Sequence, residues 1–353
     1  MDAASTESPR IVFQHGQSYE PTPLLELPEL ARHCGVSRVY VKDESRRPLG
    51  SFKSLGGMFA GLRALARAFG SPSIEAFLAG DRSTKKLPTL ICASDGNHGL
   101  AVAAAAEMAG GSSRIYLHRH VLQSRAKRIA VRGAEIVWVE GTYDDAVDAA
   151  LLASQRGEGL LITDTSARID DPIVRDVMVG YGLMADELVE QFQQNEKEPP
   201  THLFVQAGVG GLAAALARGL RESHALSTTI VVVEPESCNC VGQALRANGI
   251  ERLAGDLQTS AEMLSCGEAS APAVAILRRV RAAAIVVPER ELAEAVEMLN
   301  LYGGPATTPS GATGLAGLLT ARPDSSLASA HNVNERSRVL LIVTEGLVPD
   351  AQT

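Results

Sequence analysis

Lys53 is the residue of this chain best placed for covalent chemistry. It lies in Gly50-Ser51-Phe52-Lys53-Ser54-Leu55-Gly56-Gly57, after the strand-like run Arg38-Val39-Tyr40-Val41-Lys42 and at the start of a helical run ending near Gly70. A helix N-terminus and a neighbouring lysine, Lys42, both disfavour a positive charge. A lysine so placed is expected to give up its proton and form a Schiff base with a carbonyl. The alternative is an ordinary surface lysine on a helix, and this stretch alone does not decide between them.

Other chemistry-bearing stretches share one placement: each follows a strand-like run. Ser94-Asp95-Gly96-Asn97-His98-Gly99 follows 89–93 and opens a helix. Its glycines let backbone approach a ligand, its helix-start N–H groups suit a carboxylate, Asn97 suits a phenolate oxygen, and Asp95 suits a base. The alternative is an Asp/Asn helix cap. Gln206-Ala207-Gly208-Val209-Gly210-Gly211-Leu212 follows 202–206 and opens another helix. Consecutive N–H groups free of side chains make a phosphate cradle there, or else a tight packing turn. The run is neither a Walker A loop nor a dinucleotide fingerprint. Asp164-Thr165-Ser166 follows 160–162, placing Asp164 to face the same cleft as Asp95, or to cap a helix. Paired carboxylates in one cleft divide into acid and base. Thr344 and Ser310 each offer a hydroxyl to a ring nitrogen without imposing a charge.

A lysine for an imine, a glycine cradle for a phosphate, and an asparagine and a hydroxyl for a ring together describe a site for pyridoxal 5′-phosphate. That group serves as an electron sink for carbanions at an amino-acid α-carbon.

The elements that must position these residues alternate regularly. Strands are expected at 38–42, 89–93, 114–117, 135–139, 160–162, 202–206, 228–233, 284–287 and 338–344. Helices are expected at 26–34, 97–109, 123–132, 143–156, 173–194, 210–222, 240–248, 272–281, 289–302 and 312–321, with a mobile loop at 323–336. Such alternation implies an α/β fold of two open parallel sheets with right-handed crossovers, the smaller inserted in the larger. The expected division is a large domain of 1–87 and 171–353 and a small one of 88–170. The chain has 353 residues, 45% hydrophobic but only 4% aromatic, with 32 glycines, so small aliphatic side chains fill the core. Parallel sheets closely covered by helices suit that mix.

A net charge of -8 argues against nucleic acid as a partner. The sequence has neither a signal-peptide pattern nor an apolar run of spanning length, so a cytoplasmic protein is expected. Cys34, Cys92, Cys238, Cys240 and Cys266 form no metal-binding array and are expected to be buried thiols, with a disulfide from Cys238 or Cys240 to Cys266 left open.

Lys42-Asp43-Glu44-Ser45, Gly50-Ser51-Phe52-Lys53, Ser94-Asp95-Gly96-Asn97-His98-Gly99 and Gly208-Val209-Gly210-Gly211-Leu212 occur in the order and spacing of the fold-type II pyridoxal-phosphate enzymes. The chain resembles that group, which includes tryptophan synthase β and threonine dehydratase, over nearly its whole length. Within it, Asp95 ahead of Gly96-Asn97-His98 looks most like the diaminopropionate ammonia-lyases, where most of the group has Ser or Thr. The run Met178-Val179-Gly180-Tyr181-Gly182-Leu183, Val233-Glu234-Pro235, Leu264-Ser265-Cys266-Gly267-Glu268 and Thr344-Glu345-Gly346 add to the likeness. One departure is Ser166-Ala167-Arg168-Ile169-Asp170-Asp171-Pro172, where an aromatic-containing stretch is usual.

The resemblance implies roles. Lys53 would carry the cofactor. Gly208, Val209, Gly210, Gly211 and Leu212 would hold its phosphate. Asn97 would meet the ring hydroxyl, Phe52 would flank the ring, and Thr344, with Ser310 second, would face the pyridine nitrogen. Asp95 would abstract the α-proton, with Lys53 serving the opposite face, and Asp164 would bind the second amino group or assist its departure. Ser94, Gly96, His98 and Arg168 would border the substrate, Arg168 accepting an extra anion. The implied reaction converts 2,3-diaminopropionate to pyruvate and two ammonia. The alternatives are a dehydratase or β-eliminase of serine, threonine or an acidic analogue, or a non-catalytic cofactor-binding protein. A homodimer is also implied.

Overall fold

The computed structural model describes residues 7–15, 19–81, 85–94, 96–222, 228–247 and 249–347. Among them, ten strands form two sheets. The strands are β1 (Leu24–Glu26), β2 (Arg38–Asp43), β3 (Leu90–Ala93), β4 (Ser113–His118), β5 (Glu135–Val139), β6 (Leu160–Leu161), β7 (His202–Gln206), β8 (Thr229–Pro235), β9 (Ala283–Val287) and β10 (Arg338–Val343). The larger sheet runs β1-β2-β10-β7-β8-β9 and the smaller β5-β4-β3-β6. All pairings are parallel except that of β1, which adds antiparallel to β2. The four strands of the smaller sheet all fall between residues 88 and 170.

The central strands are buried on both faces, so they read as unbroken apolar runs. In β7, Leu203 and Val205 enter one core cluster while Phe204 enters the other. In β8, Ile230 and Val232 oppose Val231 and Val233 in the same way.

The helix Lys53–Phe69 joins the two sheets. It ends at Gly70, whose φ of 90° lets its amide close back on Ala66 and Arg67. One side of the helix lies against the helix Asn97–Ala109. Added Cβ atoms on Gly57 and Gly61 would stand 2.6 and 2.8 Å from the methyls of Ala101 and Ala105. Its other side meets the helix Pro172–Gln194, where a Cβ on Gly180 would come within 2.3 Å of the Leu55 carbonyl oxygen. Asp171 caps that third helix by accepting from Ile173 and Val174, with Pro172 at its first position.

A buried ionic cluster ties β2 to the helix Pro172–Gln194. Lys42 Nζ donates to Glu187 Oε2 at 2.6 Å and to the Thr22 carbonyl at 2.8 Å. Arg47 pairs with Glu187 Oε1 and with Glu44 Oε1, both at 2.7 Å. The Tyr19 hydroxyl also donates to Glu187. Two cations meet two anions, so the cluster is balanced. This corrects the expected role of Lys42: it is fully buried and bound to Glu187, with no part in setting the charge of Lys53.

Other differences are local. The helix expected from 26 starts at Pro28, because β1 occupies Leu24–Glu26. A short helix, Ile74–Ala79, adds to the expected set; Ser73 caps it, accepting from Ala76 N at 3.0 Å. The stretch 323–336 contains the helix Ala328–His331, closed by Asn332 at a φ of 57°. Among the described residues, no helix is long and apolar enough to cross a membrane.

Removing Glu187 leaves two buried cations short of a partner. Glu187→Ala is expected to lower stability by about 3–5 kcal/mol, measured by denaturant unfolding. Burial raises the pKa of Glu187, but Arg47 and Lys42 outweigh that and hold it at about 2. Its stabilisation is therefore full above the ordinary glutamate range and lost as pH falls through about 2. Acid unfolding of the wild type over that window should be steeper than that of Glu187→Ala.

Candidate active site

The carboxyl ends of both sheets face one cleft of ≈ 1190 Å³. Lys53, first residue of its helix, reaches into it and donates to Asp164, which follows β6. The two side chains are 24% and 21% exposed, so substrate can reach both. Burial opposes the charge on Lys53, but the Asp164 carboxylate outweighs it and holds the amine protonated well above an ordinary lysine. Burial likewise pushes Asp164 up, yet the Lys53 charge keeps it ionised far below the usual carboxylate range. The expectation of a readily deprotonated Lys53 is thus reversed in this structure, because Asp164 and not Lys42 is its neighbour.

The backbone ahead of Lys53 is locked to the exit of β10. Phe52 N donates to the Thr344 carbonyl at 3.0 Å, Gly346 N to the Gly50 carbonyl at 3.0 Å, and Ser51 bridges Glu345. Phe52 stands on the cleft wall with its ring 5.0 Å from that of Tyr181.

The glycine loop after β7 has its carbonyls engaged: Val209 O accepts from Ser270 N at 3.0 Å and Gly208 O from the Cys240 thiol at 3.3 Å. Among the described residues, the amides of Gly208, Val209 and Gly210 have no acceptor. Gly210 has a φ of 95°, where a side chain would be strained. A Cβ on Gly208 would stand 3.0 Å from Cys266 Sγ. Gly211 and Leu212 open the helix behind, adding its dipole. Unpaired amides at a helix start, bare of side chains, fit a phosphate.

Asn97, first residue of its helix, lines the cleft and donates through Nδ2 to Glu345 Oε2. Burial raises the pKa of Glu345, opposed by hydrogen bonds from Thr308 and Asn97. Thr344 Oγ1 accepts from Gln206 Nε2 at 3.2 Å and Ser310 Oγ from Met263 N at 3.1 Å. Each hydroxyl keeps its own proton to donate, and both line the cleft. Ser94 and Gly96 form the adjoining wall. A Cβ on Gly99 would lie 2.2 Å from the Ser94 carbonyl oxygen, so only glycine allows this turn. His98 is buried; its Nε2 lies 3.1 Å from the Ile162 carbonyl, which fixes the tautomer with the proton on Nε2. Burial lowers its pKa, keeping the ring neutral.

Asp95 lies outside the described residues. Arg168 does not reach the cleft: its side chain is 69% exposed and directed at Asp170, 3.4 Å away. Ser166 holds the base of this turn by donating to Asp171 at 3.1 Å, which points Arg168 outward. All five cysteines are free thiols, so neither Cys238 nor Cys240 pairs with Cys266 here. Burial pushes the Cys266 thiol up to about 12. Among the described residues, no group of His, Cys, Asp and Glu is suited to hold a metal ion.

Two cleft residues carry no role in the sequence reading. Tyr181 is buried among Gly56, Gly211 and Phe52 with its hydroxyl unpartnered. Its only sequence signal is a polar aromatic in the run 178–183. Glu345 carries a carboxylate beside Thr344, and only the fold brings Asn97 to it.

The family model described as "Pyridoxal-phosphate dependent enzyme" matches residues 16–345. Diaminopropionate ammonia-lyase of Escherichia coli (strain K12) is 33% identical over 339 residues, covering 93% of this chain and 85% of that protein. A crystal structure of diaminopropionate ammonia lyase from Escherichia coli in complex with D-serine matches at a TM-score of 0.85 and 31% identity, over 96% of this chain and 87% of that one. The structure in complex with an aminoacrylate-PLP azomethine reaction intermediate matches at 0.84 and 32%, with the same coverage.

The cradle yields one test. Gly208→Val would place a branched side chain against Cys266 and over the bare amides. It is expected to weaken uptake of pyridoxal 5′-phosphate by about a hundredfold or more, read by fluorescence titration, with little change in the unfolding midpoint.

Proposed function

The chain belongs to the fold-type II pyridoxal-phosphate-dependent enzymes, and on that premise we propose that it eliminates ammonia from 2,3-diaminopropionate to give pyruvate and a second ammonia. The observation that carries this reading is the Lys53–Asp164 ion pair in the cleft that also holds the bare-amide loop. Its cofactor, pyridoxal 5′-phosphate, supplies the electron sink for charge at the substrate α-carbon.

The protein's own residues divide the remaining work. Lys53 is the amine that would hold the cofactor; Asp164, ionised beside it, would orient that amine and stabilise its charged form. The amides of Gly208, Val209, Gly210, Gly211 and Leu212 would hold the phosphate. Asn97 would present an N–H to the ring oxygen, Phe52 would flank the ring, and Thr344, with Ser310 second, would offer its hydroxyl to the ring nitrogen. Asp164 is built to hold a cation in a partly buried place. The Lys53 ammonium fills that role in the free protein, and the second ammonium of diaminopropionate carries the same charge on a similarly flexible carbon. Serine, with a neutral hydroxyl, would leave Asp164 unpaired. Asp95 is proposed as the base for the α-proton, from its place ahead of Gly96-Asn97 in the family pattern, with Lys53 serving the opposite face. Ser94, Gly96 and His98 border the substrate; Arg168 has no part in this proposal, since it points away. The protein is proposed to act in the cytoplasm as a homodimer.

The test is an absorbance spectrum of the purified protein with each enantiomer of diaminopropionate, pyruvate being assayed. A visible band that is lost in Lys53→Ala, together with pyruvate, is the expected result. Asp164→Asn should keep the band but lower kcat/KM for diaminopropionate by about 10²–10⁴-fold and for D-serine by much less. A band with turnover of serine alone would replace this substrate with the dehydratase reading.

A further inference from the structure

Glu345 is 8% exposed and held on every side. Oε1 accepts from the Thr308 hydroxyl at 2.6 Å and Oε2 from Asn97 Nδ2. Its main-chain carbonyl accepts from the Thr307 hydroxyl at 2.5 Å, and its backbone bridges Ser51, two residues before Lys53. Thr308 is itself fixed as the cap of the helix Pro309–Thr320.

A carboxylate approached by two donors acts only as an acceptor. The two ends of an asparagine carboxamide have nearly the same shape but opposite hydrogen-bonding character. Facing Glu345, Asn97 must turn its nitrogen towards the carboxylate and its oxygen away. That nitrogen carries a second N–H for a further acceptor in the cleft that Asn97 and Glu345 both line.

We propose that Glu345 is a positioning residue for the cofactor: it fixes the flip of the Asn97 carboxamide so that an N–H, and not the carbonyl, faces the ring oxygen. The inference rests on the reading of Asn97 given under Proposed function. A competing role is simple charge balance, because Arg125 and Arg128 are the charged groups near Glu345. The two differ in their route: positioning acts through Asn97, whereas a charge acts through space.

The experiment compares the cofactor-loaded wild type, Glu345→Gln, Asn97→Ala and the double variant by pH titration of the visible band. Glutamine keeps the shape of Glu345 but both donates and accepts, so it no longer dictates the flip. A ring oxygen that loses its donor becomes more basic, and the midpoint rises. Glu345→Gln is expected to raise it by about 0.5 unit or more, in the same direction as Asn97→Ala, with no additional shift in the double variant. A downward shift, or a shift that persists in full without Asn97, is the signature of a through-space charge and overturns the proposal. Borohydride trapping with peptide mass analysis of Lys53 separates the two readings. A wild type with no Lys53 adduct overturns the cofactor site and this inference together. A wild-type adduct with an unshifted Glu345→Gln overturns this inference alone. Should Glu345→Gln lose its folded circular-dichroism signal, Glu345→Asp replaces it: the charge is kept but falls one methylene short of Asn97. A raised midpoint then supports positioning, and a wild-type midpoint overturns it.

Discussion

Close approach of three helices is the constraint on which the site depends. Gly57 and Gly61 let the helix Lys53–Phe69 press its backbone against Ala101 and Ala105, and Gly180 lets the helix Pro172–Gln194 reach the Leu55 carbonyl. Side chains at these positions would force the axes apart. Two of those helices carry working groups at their starts, Lys53 on one and Asn97 on another, while Tyr181 faces the cleft from midway along the third. Small residues here act at a distance, since helix spacing sets whether an amine and an amide can serve one ring.

Much of the fold is legible in the sequence, for a physical reason. Strands buried on both faces are short apolar runs, and the chemistry-bearing ones here are followed by glycine or a capping residue. The stop at Gly70, the start after Asp171 and the glycine loop after β7 are local signals carried by a few neighbouring residues. What stays hidden is pairing over long separations. Lys42 reads as a neighbour of Lys53 because they are close in sequence. Alternation along β2 turns it instead into the core, towards Glu187, 145 residues later. Glu345 meets Asn97 across 248 residues. Arg168 reads as an anion contact from composition, but Ser166 and Asp171 close a turn that points it outward.

The two lysines show how environment divides one chemistry. Lys42 has no exposed side-chain surface and is bound by Glu187, a carbonyl and Gln191 Oε1, which fill its three donor positions. Lys53 has one carboxylate partner and an open side towards the cleft. A saturated ammonium is a structural strut, whereas one with a single exchangeable partner can change partners. The glycine loop follows the same logic on the other side of the site: its carbonyls are engaged and its amides are not.

The order of strands carries a further consequence. β10, the last strand among the described residues, lies between β2 and β7, and its exit grips the turn that presents Lys53. A nascent chain leaving the ribosome contains the lysine, the asparagine and the glycine loop long before it contains β10. Until that strand arrives, the larger sheet is split between β2 and β7, and the Phe52 amide lacks its acceptor, the Thr344 carbonyl. Reactive aldehyde cofactors combine with many exposed amines, so an early, half-built pocket would invite misplaced adducts. Placing the closing strand after all the others delays the assembled pocket until both sheets have their remaining strands.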